Sequence, residues 1–214
     1  MKRFAYYGGS FDPPHLGHIA IARELLEMFA LERFVFVPAF HAPHKPDSPP
    51  SPAIDRYTML CLATQNDEAI AVSRMEMDLP GRPYTVETLE RLNEIHGGDT
   101  YFFVMGADSW NDIRTWREWE KVLTMTDHIV VTRPGHELEL GHVTDEIRAR
   151  IVDLRGSNAV PESSAGPAIY LTDAVKMDIS ATEIRRSAAA GENGWHRDVP
   201  AEVAKYIEKY QIYR

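Results

Sequence analysis

Cysteine is almost missing from this chain. Its 214 residues contain one, Cys61, so no internal disulfide can form, and a lone thiol in the apolar stretch TMLCLAT reads as a core residue rather than a nucleophile. Long hydrophobic runs are missing too: nothing approaches the roughly 20 apolar residues of a membrane helix. Basic residues are outnumbered, with 23 Lys and Arg against 32 Asp and Glu and a net charge of −9. A field of that sign opposes nucleic acid and anionic membranes, so neither is an expected partner, and a polyphosphate ligand must be held by local cationic groups. The nine histidines show no zinc-site spacing, and no carboxylate cluster suggests a metal cage. Repeats, low-complexity segments and an interdomain linker are absent. No signal peptide is expected, because a short first strand leads straight into a glycine bend; a reducing cytoplasm is the expected compartment. With 44% hydrophobic and 26% charged residues, the composition suits a single α/β domain over residues 1–214, with a C-terminal helical part from about 180.

What is present begins at residues 8–18, GGSFDPPHLGH, directly after the strand-like run RFAYY. Strand, glycine-rich bend and helix start is an order that can hold phosphates. Gly8 and Gly9 lack a Cβ and can approach an anion closely or adopt positive φ. Pro13 and Pro14 stiffen the bend and suit a helix entry near Pro14, with Asp12 as a bend residue. His15 and His18 then share one face of the first turn, where free N–H groups and the helix dipole favour negative charge. A nearby phosphate favours imidazolium, so both histidines can be cationic.

Further along, helical spacing recurs over residues 17–30, 53–65, 84–96, 109–123, 143–154, 181–189 and 201–210. Short apolar runs at 33–38, 69–73, 100–105, 128–132 and 168–172 read as buried strands. A proline-rich loop at 39–52 can close over a site, and residues 155–167 form a second loop. The alternation predicts a Rossmann-like, doubly wound, mostly parallel sheet with right-handed crossovers and helices on both faces. Ligands bind such sheets beyond the strand C-termini, where strand order switches. Residues 8–18, 38–46, 106–109 and 133–135 should gather there.

Residues 178–185, DISATEIR, supply a second anchor. A capping box of Ser180 with Glu183, beside a packed Ile179, explains them on structural grounds alone. Together with GGSFDPPHLGH, however, ISATEIR resembles the nucleotidyltransferase superfamily with a histidine-glycine-histidine signature and a distal Ser/Thr-x-x-Arg helix start. That resemblance implies that the two motifs clamp the ATP triphosphate from opposite sides. It gives the ATP site as Gly8, Gly9, Ser10, Phe11, His15, His18, Gly106, Asp108, Ile179, Ser180, Thr182 and Arg185, with Mg²⁺ arriving on the substrate phosphates. Ala181 departs from the second serine usual in these relatives.

The middle segments PHK (43–45), GRPYTVETL (81–89), GADSWNDIRTW (106–116) and TRPG (132–135) resemble bacterial nicotinate mononucleotide adenylyltransferases over nearly the whole chain. The implied reaction is adenylyl transfer from ATP to nicotinate mononucleotide, with Lys45, Tyr84, Thr85, Trp116 and Arg133 on the acceptor. Trp116 can stack on a pyridine ring or be a packing tryptophan. Thr85 can open a helix whose amides take a carboxylate, or merely begin it. Lys45 can meet a phosphate or solvent, Arg133 can face either substrate, and Asp108 can bind ribose or cap a helix. The attacking phosphate is already anionic, so no general base is needed; His15, His18 and Arg185 are the expected catalytic groups, stabilising charge on departing pyrophosphate. An amidated mononucleotide, pantetheine phosphate, or a binding-only nucleotide sensor are the alternatives, and homo-oligomerisation stays open.

Overall fold

The computed structural model describes residues 2–40, 50–78, 83–97, 99–132, 138–157, 166–173 and 175–214. Seven strands form one sheet: β1 (Arg3–Gly9), β2 (Arg33–Pro38), β3 (Ile70–Val72), β4 (Thr100–Gly106), β5 (Asp127–Val131), β6 (Ile151–Asp153) and β7 (Ile169–Thr172). Their order is β3-β2-β1-β4-β5-β7-β6, and every pairing is parallel. The chain therefore makes a Rossmann-like α/β sheet. β1 sends the chain outward through β2 and β3, while β4 begins the other half, so the switch point lies between β1 and β4.

The helices are α1 (Leu16–Met28), α2 (Ala53–Thr64), α3 (Thr85–His96), α4 (Ala107–Asn111), α5 (Trp119–Met125), α6 (Asp145–Arg148), α7 (Ala181–Ala189) and α8 (Ala201–Tyr210). Two cores follow from strand alternation. Ala5, Phe102, Val104 and Ile129 pack with Ile19, Ala22 and Leu25 of α1 on one face. Tyr101, Phe103, Met105 and Val130 pack with Leu89 and Leu92 of α3 and Leu123 of α5 on the other. A third cluster joins Met59 of α2 to Ile184 and Ala188 of α7, Trp195, and Val203 and Ile207 of α8. That cluster fixes the position of the second motif. Among the described residues no helix is long and apolar enough to cross a membrane.

Three expectations are corrected. Residues 143–154 do not make one helix: α6 is a single turn, and Ile151–Asp153 pair with β7 as an edge strand. Val143, Ile147 and Ile151 recur at helical spacing, but backbone pairing at the sheet edge wins over that pattern. The stretch 109–123 is broken into α4, a 3₁₀ turn (Ile113–Thr115) and α5, because Trp116 is extended and Glu118 sits at φ +52°. Trp110, Ile113, Val122 and Leu123 still share one buried cluster. Cys61 is half-buried, since the stripe that α2 buries runs through Arg56, Met59, Leu60 and Thr64.

Candidate active site

At the carboxyl end of β1 the chain bends through residues 8–15. Neither Gly8 nor Gly9 has positive φ; that conformation falls on Phe11, at +49°. The glycines serve close packing instead. A Cβ on Gly8 would lie 2.8 Å from Phe103 Cζ, and one on Gly9 would lie 2.9 Å from Phe11 Cζ. Phe11 tolerates the left-handed backbone because its buried ring is locked edge-on against Tyr7 at 5.2 Å, Phe36 at 5.2 Å and His18 at 5.0 Å.

His15 caps α1 from outside its first turn, and His18 follows at the third helical position. Their rings stack at 3.6 Å between centroids. The backbone N–H of His15 donates to His18 Nδ1 at 3.1 Å. That bond engages Nδ1 as an acceptor and leaves Nε2 as the ring nitrogen able to donate to a ligand.

From the other direction, Ser180 caps α7 by accepting the Glu183 N–H at 3.4 Å. The expected capping box closes on one side only, because the Glu183 carboxylate pairs with Arg186 at 2.9 Å. Arg185 reaches across the fold: its Nη1 donates to the Asp12 carbonyl at 2.7 Å and its Nη2 to Thr182 Oγ1 at 3.2 Å. The two motifs are thereby joined directly.

Between them lies a cavity of about 280 Å³ beyond the C-termini of β1, β4 and β5. Its walls carry Gly8, Ser10, Phe11, His15 and His18 from the bend, Gly106 and Asp108 after β4, and Ile179, Thr182 and Arg185 from the second motif. The N-termini of α1 and α7 both border it through Gly17, His18, Ala181 and Thr182, which directs two helix dipoles at one space. Gly9 and Ser180 are not on its walls: the first seats the Phe11 ring and the second is occupied as a cap.

The described members of the expected acceptor set, Tyr84, Thr85 and Trp116, lie elsewhere. Tyr84 caps α3 and donates its N–H to Glu87 Oε2 at 3.0 Å, Thr85 opens that helix, and Arg117 lies 4.9 Å above the Tyr84 ring. Trp116, next to Arg117, packs against the α3–α5 core cluster. The structure thus brings Tyr84, Thr85 and Trp116 to one neighbourhood, but not to the walls of the cavity. Lys45 and Arg133 lie outside the described residues, as do most of the loop 39–52 and residues 158–165 of the second loop. Trp110 is fully buried, donating Nε1–H to the Glu139 carbonyl at 2.7 Å.

Sequence reasoning missed Arg56. Its side chain is fully buried and donates to the carbonyls of Ser51 at 2.8 Å, Ser10 at 2.7 Å and Ala39 at 2.6 Å. It ties the bend after β1, the loop after β2 and the entry to α2 into one unit. Desolvation lowers its pKa, offset in part by the carboxylate of Asp12. The available signal was its place on the apolar stripe with Met59 and Leu60, three and four positions on. Asp12, read as a simple bend residue, accepts the Ser51 N–H at 3.0 Å and the Tyr213 hydroxyl at 2.8 Å. Among the described residues no three His, Cys, Asp or Glu side chains gather to hold a metal.

A parallel sheet with a nucleotide-sized cavity at its switch point, lined by paired histidines and an arginine, has the layout of a nucleotidyltransferase. The cytidylyltransferase-like family model matches residues 6–187, and the chain belongs to that family. It is 39% identical over 212 residues to a protein of Thermus thermophilus named probable nicotinate-nucleotide adenylyltransferase, covering 99% of this chain and 100% of that one. A protein of Symbiobacterium thermophilum bearing the same name is 37% identical over 213 residues, covering 100% and 96%. Among solved structures, Plasmodium falciparum nicotinic acid mononucleotide adenylyltransferase complexed with NaAD superposes with a TM-score of 0.75 at 21% identity, covering 100% of this chain and 98% of that one. At that identity the likeness shows the shared fold.

Proposed function

We propose that the protein transfers the adenylyl group of ATP to nicotinate mononucleotide, releasing pyrophosphate and forming nicotinate adenine dinucleotide. One observation carries the reaction type: the His15/His18 bend and the Thr182/Arg185 helix start wall a single cavity at the sheet's switch point. The names of the full-length relatives support the choice of acceptor. The reading takes residues 1–214 as one catalytic domain in a cytoplasmic setting, with the C-terminal helices included because Arg185 reaches Asp12.

In this reading a phosphate oxygen of the mononucleotide attacks the α-phosphorus of ATP. A new P–O bond forms there, the bond between the α-phosphorus and the bridging oxygen breaks, and pyrophosphate leaves with the electron pair. The nucleophile is an anion near neutral pH, so no side chain need remove a proton. The protein's task is to bring two polyanions together and hold the charge that grows on the leaving group. His18 offers its Nε2–H, Arg185 the N–H groups not spent on Asp12 and Thr182, and α1 and α7 their free N-terminal amides. His15, stacked on His18 at 3.6 Å and on the cavity wall, is proposed beside it for the same charge. Mg²⁺ belongs to the reading as a companion of the ATP phosphates, supplying charge neutralisation. Gly106 and Asp108, after β4 on the cavity wall, are proposed for the nucleoside. Lys45, Tyr84, Thr85, Trp116 and Arg133 are proposed for the acceptor.

The test is pyrophosphate release measured with nicotinate mononucleotide, its amide and pantetheine phosphate side by side. Preference for the acid supports the reading. Preference for either other acceptor replaces it, and ATP binding without pyrophosphate release from any of them leaves a nucleotide sensor instead.

A further inference from the structure

Asp12 is the knot of the site. Its carbonyl takes Arg185 Nη1 at 2.7 Å, its Oδ2 takes the Ser51 N–H at 3.0 Å, and its Oδ1 takes the hydroxyl of Tyr213 at 2.8 Å. Tyr213 is the penultimate residue of the chain, 201 positions from Asp12. The tail is bent back to deliver it. Gln211 ends α8 at φ +53° and Tyr213 itself lies at φ +85°, a conformation uncommon for a side chain of this size. The Tyr213 ring packs against the α2–α7–α8 cluster, which anchors the tail without help from the hydroxyl. The hydroxyl is spent on Asp12 of the phosphate bend and on the Ser51 side chain beside it.

We propose that Tyr213 is a positioning residue for nucleotide binding: through Asp12 it fixes the carbonyl that orients the Arg185 guanidinium toward the polyphosphate. The inference rests on the reading of Arg185 as an ATP-phosphate ligand. The geometry gives each link. A guanidinium held along one edge by Asp12 O and Thr182 Oγ1 cannot swing, so its remaining N–H groups are ordered before ligand arrives. The Asp12 carbonyl is steadied through its own side chain, whose two carboxylate oxygens are held by Ser51 and Tyr213. Burial and the neighbouring Asp12 carboxylate both push the Tyr213 phenol far up from its ordinary value, so it stays a donor across the working pH range.

The test is the affinity of an uncleavable ATP analogue carrying an α,β-methylene bridge, measured by titration calorimetry with Mg²⁺. Four proteins are compared: wild type, Tyr213→Phe, Arg185→Ala and the double variant. Phenylalanine keeps the ring and its packing. Tyr213→Phe is expected to weaken binding about tenfold beside an intact Arg185, the scale of one hydrogen bond to a charged group, and less than about twofold in the Arg185→Ala background. That non-additivity marks action through Arg185, which a tail anchor of purely structural role does not produce. Asp12→Asn, which keeps the carbonyl, repeats the cycle from the other side of the bond and must show the same dependence. Equal losses in both Arg185 backgrounds, or no loss beside the intact arginine, overturn the proposal. The analogue needs no acceptor, so absence of turnover with nicotinate mononucleotide counts against the reaction assigned above and not against Tyr213.

Discussion

Replacing Arg56 by methionine measures how much the site depends on a cation that never reaches the solvent. The side chain is fully buried, and its three short hydrogen bonds, at 2.6, 2.7 and 2.8 Å, end on carbonyls of three different segments. Removing the guanidinium strands those carbonyls, at about 1–3 kcal/mol for each buried acceptor left unpaired. Against this, the wild type spends several kcal/mol desolvating the charge, the same cost that lowers its pKa. Methionine restores part of the volume. The balance is a loss of roughly 3–5 kcal/mol, the range for breaking a buried charge network from one side. At about 2–4 °C per kcal/mol for a chain of this size, scanning calorimetry should show the midpoint falling by roughly 6–20 °C. Arg56→Lys keeps the charge but not the fork that spans three acceptors, and should lose most of the same stability. Ser10 is on the cavity wall, so affinity for an ATP analogue should drop with it. A methionine variant melting within about 2 °C of wild type would falsify this account and show that the carbonyls find other partners.

Three further outcomes are expected. His18→Ala should lose about 10²–10³ in turnover, the usual effect of deleting one donor to developing charge, with the fold retained by circular dichroism; wild-type turnover in a pyrophosphate assay contradicts its assigned role. Gly9→Ala places a methyl 2.9 Å from Phe11 Cζ and must displace a ring that lines the cavity, costing about 1–3 kcal/mol; a denaturant midpoint equal to wild type refutes that packing argument. Burial raises the Glu76 carboxyl from 4.5 to about 7, so between those values the folded state holds a proton that the unfolded state has released. Stability should therefore fall as pH rises through that window, by up to roughly 3 kcal/mol, and Glu76→Gln should remove the slope. Parallel pH profiles for the two proteins in urea unfolding rule this out.

The parts of the fold that could be read in advance are those whose pattern is local. β2 announces itself as RFVFVP, apolar and closed by proline, and α7 and α8 begin and end at the residues their periodicity marks. The edge strand β6 could not be read, because Ile151–Asp153 owe their conformation to pairing with β7 and not to their own spacing. The site divides in the same way. Paired histidines beside a glycine bend point to phosphate chemistry from their own sequence, yet the supports of that bend come from far away. Arg56 lies 46 positions from Ser10 and Tyr213 lies 201 from Asp12. Nothing local distinguishes such a residue from a solvated arginine or a frayed terminal tyrosine. His18 shows a third limit, since its Nδ1 accepts from a backbone N–H whose direction the sequence does not carry.

These supports also explain how a chain of net charge −9 can receive a polyanion at a bend that itself contains an aspartate. Asp12 is on the cavity wall, and a free carboxylate there would repel phosphate. It is not free: the Ser51 N–H and the Tyr213 hydroxyl each hold one of its oxygens, and its charge lies close enough to the buried Arg56 guanidinium to favour that group's ionised form. Its negative charge is thus spent on the side of the bend that faces Arg56 and the C-terminal tail. What Asp12 contributes toward the cavity is a backbone carbonyl holding Arg185 in place. In the proposed reading, affinity comes from donors fixed before the ligand arrives, namely two helix N-termini, one imidazole N–H and one guanidinium edge, rather than from a surplus of positive charge. A basic surface attracts any polyanion, nucleic acid included. Oriented donors in a cavity of about 280 Å³ select by shape, which suits a protein whose overall field turns polyanions away.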